Sequence, residues 1–255
     1  MKKNFLIAFF IVLHTVLIYS QGFDWELSPR LPFAIPKTYF GITTNFAKNF
    51  YNGSLSLFEN YYTCSVFSTG DGNSNSVGFK AEYWFHPAIA FNCSILLLKS
   101  SSNFSALGDS FRVLIKDIPK VVQVANELFL EHNLLVIDLG AKHRISTSNI
   151  YFAGNLEFAL KLSSKYNLYE QVLSPPEYHF IDNSQRRKIL NGSFSDYAFF
   201  LVTPKITIGY DAIIFPKIYA SPCISIYIPL FNLSKTDNLK MLAIQLGFSI
   251  MYGMY

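Results

Sequence analysis

MLAIQLGFSIMYGMY, residues 241–255, alternates with a period of two. Leu242, Ile244, Leu246, Phe248, Ile250, Tyr252 and Met254 share one face, and Gln245, Gly247, Ser249 and Gly253 share the other. In a β-strand successive side chains point to opposite sides, so this stretch is a strand standing between an apolar and a polar surround. The pattern recurs upstream. Val77, Phe79, Ala81, Tyr83 and Phe85 oppose Ser76, Gly78, Lys80 and Glu82, and Ile224, Ile226, Ile228 and Leu230 oppose Ser221, Ser225 and Tyr227. Ile150, Phe152, Leu156, Phe158, Leu160 and Leu162 oppose Asn155, Glu157 and Lys161.

Working outward from these stretches, strands are expected at 57–67, 76–85, 88–99, 127–140, 149–162, 198–214, 219–230 and 241–255. The first and second are separated by STGDGNSNS (68–76), whose Gly, Asn and Asp content predicts a turn. Residues 100–126 begin polar and then carry an apolar patch, Phe111 to Val124, that fits a short helix. Residues 163–196 read as a long polar loop. Pro204 and Pro222 lack a ladder donor and predict bulges or strand ends. The links at 86–87, 141–148 and 215–218 are short, and all fall on one side if strands alternate in direction. Bacterial barrels sort their connections this way, with short periplasmic turns and longer outer loops. The fold class expected is therefore all-β, an eight-stranded antiparallel up-and-down transmembrane barrel over residues 57–255.

Residues 1–20 read as a signal peptide. Lys2 and Lys3 precede the apolar run Phe5 to Tyr19, and Ser20-Gln21 is the expected cut. Residues 21–56 read as an irregular lead-in, with a short strand near Tyr39–Ile42. The composition is 51% hydrophobic and 17% aromatic, rich for a water-soluble chain. A barrel with lipid outside and polar groups inside accommodates both. The formal charge of +4 falls to about +2 without Lys2 and Lys3, too small to argue for nucleic acid. Cys64, Cys93 and Cys223 have no metal-ligand spacing, although Cys64 and Cys93 could pair if adjacent.

The polar face implies a lumen. Lys80, Glu82, Glu157, Lys161, Lys205 and Asp211 are expected there as a paired structural charge network, because unpaired buried charge is costly. Eight strands enclose a bore just wide enough for side chains to fill, so a plugged barrel is expected. Arg186, Arg187 and Lys188 form a basic cluster in the 163–196 loop that could contact an external anion. No histidine stands at a recognisable spacing from a nucleophile and an acid. No catalytic, cofactor or metal residue is therefore assigned.

TCSVFSTGDGNSNSVGFKAEYWF (63–85), the strand 150–162, the Pro-containing stretch 172–176 and SPCISIYIPL (221–230) resemble the outer-membrane β-barrel domain of Bacteroidetes- and Ignavibacteria-type proteins. That resemblance implies an OmpA-like barrel without its peptidoglycan-binding domain, in contact with outer-membrane lipid, lipopolysaccharide and the barrel-assembly machinery. Assembly signals in such barrels end on an aromatic in phase with the lipid face. Here Tyr252 and Phe248 are in phase and Tyr255 is not. The function expected is structural or surface-interacting and non-enzymatic, with no external ligand named. A small porin is the main alternative, followed by a lipid-modifying barrel enzyme and a soluble secreted β-sandwich.

Overall fold

The computed structural model describes residues 36–254 apart from 60–61, 146–147 and 216, with side chains given outside 57–65. Among these residues no helix is long and apolar enough to cross a membrane. The strands are β1 (Thr38–Glu59), β2 (Tyr62–His86), β3 (Ile89–Ile115), β4 (Ile118–Arg144), β5 (Ile150–Ser174), β6 (Arg186–Ser193), β7 (Phe200–Tyr210), β8 (Ala212–Phe215), β9 (Ile218–Tyr227) and β10 (Leu239–Met254). Neighbours pair in the order β10-β1-β2-β3-β4-β5-β7-β9, and β9 pairs back to β10. Eight antiparallel staves thus close a ring. The short strands β6 and β8 extend the β7 stave at its two ends, pairing with β5 and β9.

Closure is staggered. From Thr38 the paired residues run Tyr83, Phe91, Ala141, Gly154, Ile206, Ile226, Ile244 and back to Lys48 on β1. One circuit advances from 38 to 48, a stagger of ten residues. Ten residues of rise against eight inter-strand spacings tilt the strands by about 40°. Each residue then climbs about 2.5 Å along the barrel axis.

The outward face carries an apolar belt. On β3 it is Ile89, Phe91, Cys93, Ile95 and Leu97, after which Lys99, Ser101, Asn103 and Ser105 point outward. Neighbouring staves contribute Val77, Phe79, Tyr83 and Phe85, then Ile150, Phe152, Leu156 and Leu162, then Phe200, Ile206, Ile208 and Tyr210, all exposed. Ile224 and Ile226 on β9, the even residues Leu242–Met254 on β10, and Phe40, Ile42 and Phe46 on β1 complete the ring. Residues 89–97 climb about 20 Å, comparable to the ~25 Å apolar band of transmembrane barrels. A sheet facing oil must satisfy every peptide group within itself, and a closed ring does so. β3 continues for another 18 residues to Ile115. The β3–β4 hairpin therefore rises about 45 Å past the belt, on the side away from the short turns.

Several expectations change. Residues 38–56 are not an irregular lead-in but most of β1, the stave that closes the ring against β10. STGDGNSNS is no turn, because it lies in mid-strand in β2 with β1 on one side and β3 on the other. Two predicted strands are therefore one, and the count of eight stands because β1 replaces the lost member. Residues 100–126 hold no helix. They form the upper arms of the β3–β4 hairpin, turned tightly at Lys116 and Asp117, both in the left-handed region at φ 52° and 62°. The predicted loop 163–196 contains the upper half of β5 and all of β6. Pro204 sits inside β7 with its carbonyl accepting from Ile228 N at the end of β9. Pro222 sits where β9 changes partner from β7 to β8. Cys93 lies opposite Ala81 and is free, as is Cys223. The expected signal peptide (1–20), residues 21–35, the Cys64 side chain and Tyr255 lie outside the described residues.

Candidate functional site

The lumen is the chemically richest part of the molecule, and strand register places its side chains. On β4 the inward positions are even, which brings Asp138, Lys142 and Arg144 inside. Glu82 comes from β2, Glu157 from β5 and Lys205 from β7. Asp211 occupies the break between β7 and β8.

These side chains form two groups. Nearer the short turns, Lys142 lies 3.2 Å from Glu82 and 2.8 Å from Asp211. Lys80 closes on Glu82 at 2.9 Å and Arg144 on Asp211 at 2.9 Å. The Tyr219 hydroxyl donates to Glu82 at 2.5 Å, and Ser221 donates to Asp211 at 3.0 Å. Aromatic faces complete the shell. Lys142 Nζ stands 4.0 Å from the Tyr151 ring centroid, and the Arg144 guanidinium lies 4.2 Å from the Trp84 ring. Such contacts favour a desolvated cation. One level higher, Lys205 pairs with Asp138 and lies 3.7 Å from Glu157. Asn155 Nδ2 donates to Asp138 at 2.8 Å and to Asn92 at 2.9 Å. Tyr227 donates to Glu157 at 2.9 Å.

The two groups together hold Lys80, Lys142, Arg144 and Lys205 against Glu82, Asp138, Glu157 and Asp211, so the lumen is formally neutral. Each charge has an opposite neighbour and added hydrogen bonds, the conditions under which burial is tolerated. A cavity of about 40 Å³ remains, lined by Lys80, Asp138, Asn155, Tyr151, Lys205 and Thr207 among others. That is room for about three waters and not for a passing solute.

Above the ions the filling turns apolar. Leu96, Phe104, Leu128, Leu134, Val136 and Leu168 form a core with Tyr51, Leu55 and Phe67. Two connecting segments fold into the mouth and bring Phe194, Tyr197 and Leu233 with them. They lock to each other. Tyr197 bridges Ser234, Ala198 N donates to Leu233 O at 2.8 Å, and Asp196 accepts from Ser234 and Thr236. Beneath them His132 stacks on Tyr197 at 4.0 Å between ring centres and meets Ser164 Oγ at 2.8 Å. His132 stands above the belt, and burial, followed by the nearby Lys161 charge, pushes its pKa down to about 3. No carboxylate hydrogen-bonds to it among the described residues, and His132 and Ser164 are only 3% and 5% exposed.

Of the six residues expected in the lumen network, Lys80, Glu82, Glu157, Lys205 and Asp211 are brought together. Lys161 is not. The strand shifts register between Asn133 and Leu134, opposite Ser163 and Lys161, and Lys161 Nζ instead holds Tyr197 O at 3.0 Å. Lys142, Arg144 and Asp138 were missed, the first two because 141–148 read as a short link and the third because both faces of 127–140 carry apolar residues. Arg186 and Arg187 are not a free cationic patch. Arg186 pairs with Glu127 at 2.9 Å and lies on the Tyr169 ring; Arg187 pairs with Glu170 at 2.6 Å and lies on the Phe180 ring. Lys188 is exposed beside them. No metal-type cluster occurs among the described residues.

No protein-family model matches the chain, and no curated protein matches it in sequence. Solved structures with a similar layout include the attachment invasion locus protein Ail of Yersinia pestis in complex with the heparin analogue sucrose octasulfate. It is 11% identical, with 85% of this chain and 99% of that one covered and a TM-score of 0.34. Neisserial surface protein A is 8% identical, covering 84% and 97%, with a TM-score of 0.36. The outer membrane protease OmpT of Escherichia coli is 8% identical, covering 89% and 99%, with a TM-score of 0.31. The eight-stave closed transmembrane barrel rests on this chain's own pairing pattern.

Proposed function

We propose that the protein is a sealed, non-catalytic barrel of a bacterial outer membrane, and that it acts through the wall that rises outside the bilayer. The observation carrying this reading is the filled lumen: a neutral ion network, then an apolar core, then two interlocked segments across the mouth. A conduit would need a continuous wet path, whereas the cavity found among the described lumen residues is about 40 Å³. The tall wall supports the surface-interaction role, since a purely structural barrel needs only ~9–11 residues per strand to span. Tyr83, Phe85, Tyr210 and Tyr252 would meet lipid headgroups at the short-turn end. The partners of this reading are outer-membrane lipid and lipopolysaccharide, with folding by the barrel-assembly machinery. The burial of His132 and Ser164 beneath Tyr197 supports a role without catalysis.

Purified protein in planar bilayers tests the reading. The expected record is silent at moderate voltage, while unboiled protein migrates faster than boiled protein in a detergent gel. Steady unitary channels from a sample that shows this heat-modifiable shift would defeat the sealed barrel and favour the small porin. Loss of the shift would defeat the closed ring itself.

A further inference from the structure

We propose that a groove on the outer surface, at the upper rim of the belt on β1 to β5, binds the phosphate-bearing headgroup of a membrane lipid. The inference rests on the reading of this chain as a membrane barrel. Strand register builds the site from two outward rows. Thr44, Val77, Leu97 and Leu135 are paired in sequence across β1, β2, β3 and β4, and form the lower, mainly apolar row. Two residues further up, Asn75, Lys99 and Asn133 are paired in the same manner and form a polar row. The groove between them encloses about 480 Å³, and its lining includes Thr44, Asn75, Val77, Leu97, Lys99, Asn133 and Leu162.

Its shape has a local cause. Where β4 and β5 shift register, Leu162 has no partner and stands 59% exposed as a side wall. The same irregularity ties Asn133 Nδ2 to Ser163 Oγ at 2.8 Å and fixes the amide at the lip. Lys99 is the cation on this lip and makes no ion pair among the described residues. Glu131 lies one outward position higher on β4, opposite Lys165 of β5. Lys48, an outward lysine on β1, is already paired to Asp71. An ammonium with carboxamides beside it suits a phosphate, and the apolar row below continues into the lipid-facing belt. A single exposed lysine holds a free anion weakly. Acyl chains lying on Val77, Leu97 and Leu162 add burial of apolar area that a free anion cannot. The occupant is therefore a lipid, its phosphate at Lys99 and its tails along the belt.

The test is native mass spectrometry of the full chain released from detergent. Phosphatidylglycerol is the probe, diacylglycerol the uncharged control and inorganic phosphate the competitor. The wild type should retain one phosphatidylglycerol, Lys99→Gln about tenfold less, and Lys240→Gln as much as the wild type. Leu97→Ser should weaken retention of the same adduct through the tails. Folding of each variant is read by its heat-modifiable gel shift, which also separates failure of this site from failure of the barrel. Equal retention by Lys99→Gln and wild type, equal retention of diacylglycerol, or displacement by millimolar phosphate would each overturn the proposal.

Discussion

Lys142 Nζ and Asp211 Oδ1 meet at 2.8 Å inside the barrel, although 69 residues separate them in the chain. The contact joins β4 to the break between β7 and β8, past the single intervening stave β5, so it ties together two staves that no ladder pairs.

Lys142→Met should destabilise the barrel by about 3 kcal/mol, because two carboxylates lose a desolvated partner while Lys80 and Arg144 retain part of the compensation. Asp71→Asn breaks the exposed Lys48–Asp71 pair on the outer wall and should cost about 0–1 kcal/mol. Urea unfolding in detergent, followed by tryptophan fluorescence, compares the two. Similar losses from both would contradict the buried network as a source of stability.

Gly41→Ala should impair closure of the ring. Gly41 sits opposite Met251 at the seam between β1 and β10, where an added Cβ would fall 1.9 Å from Ile250 O. Backbone must move to admit it, and the neighbouring β2 limits that movement. Refolding yield, read as the fraction of heat-modifiable protein, should fall. A wild-type yield would show that the seam is looser than these contacts imply.

Acid should loosen the mouth before the belt. The folded-state pKa of His132 is depressed to about 3 by burial, while an unfolded histidine titrates near 6.5. The unfolded or opened state therefore binds the proton first. The His132 contribution is fully present above about pH 6.5 and is lost progressively as pH falls toward 3. Amide protection at Tyr197 and Leu233, taken relative to the intrinsic exchange rate at each pH, should fall over that window in the wild type. His132→Phe should flatten the dependence, and an unchanged slope in that variant would assign it to other groups.

Orientation can be read by labelling. A cysteine at Ile118, exposed beside the β3–β4 turn, should react with a membrane-impermeant maleimide on intact cells. A cysteine at Asn149, before β5 on the short-turn side, should react only after the outer membrane is opened. The reverse pattern would invert the barrel.

Legibility in the sequence followed the solvent boundary. Where lipid lies on one side and the lumen on the other, as in β10, β9 and the lower half of β3, the side chains alternate and the strands can be read directly. Above the belt the outward side is no longer lipid, and on β2 the inward positions at 72–76 are small or polar, so the contrast disappears. Asp71, Asn73 and Asn75 point outward while Ser74 and Ser76 point inward, so β2 takes on the composition of a turn and is held straight by its two neighbours. β1 was obscured differently, because Thr44 and Lys48 interrupt its outward row of Phe40, Ile42, Phe46 and Phe50. The lumen partners were legible only where the strand was. Lys142 and Arg144 follow the inward parity of Asp138, but a strand thought to stop at 140 could not offer them.

The seam between β1 and β10 also dictates a timetable. The stave nearest the amino terminus finds its second neighbour only in the stave nearest the carboxyl terminus, so every partly emerged chain carries two raw edges. Those edges must be kept apart, and free of other chains, until β10 pairs with β1.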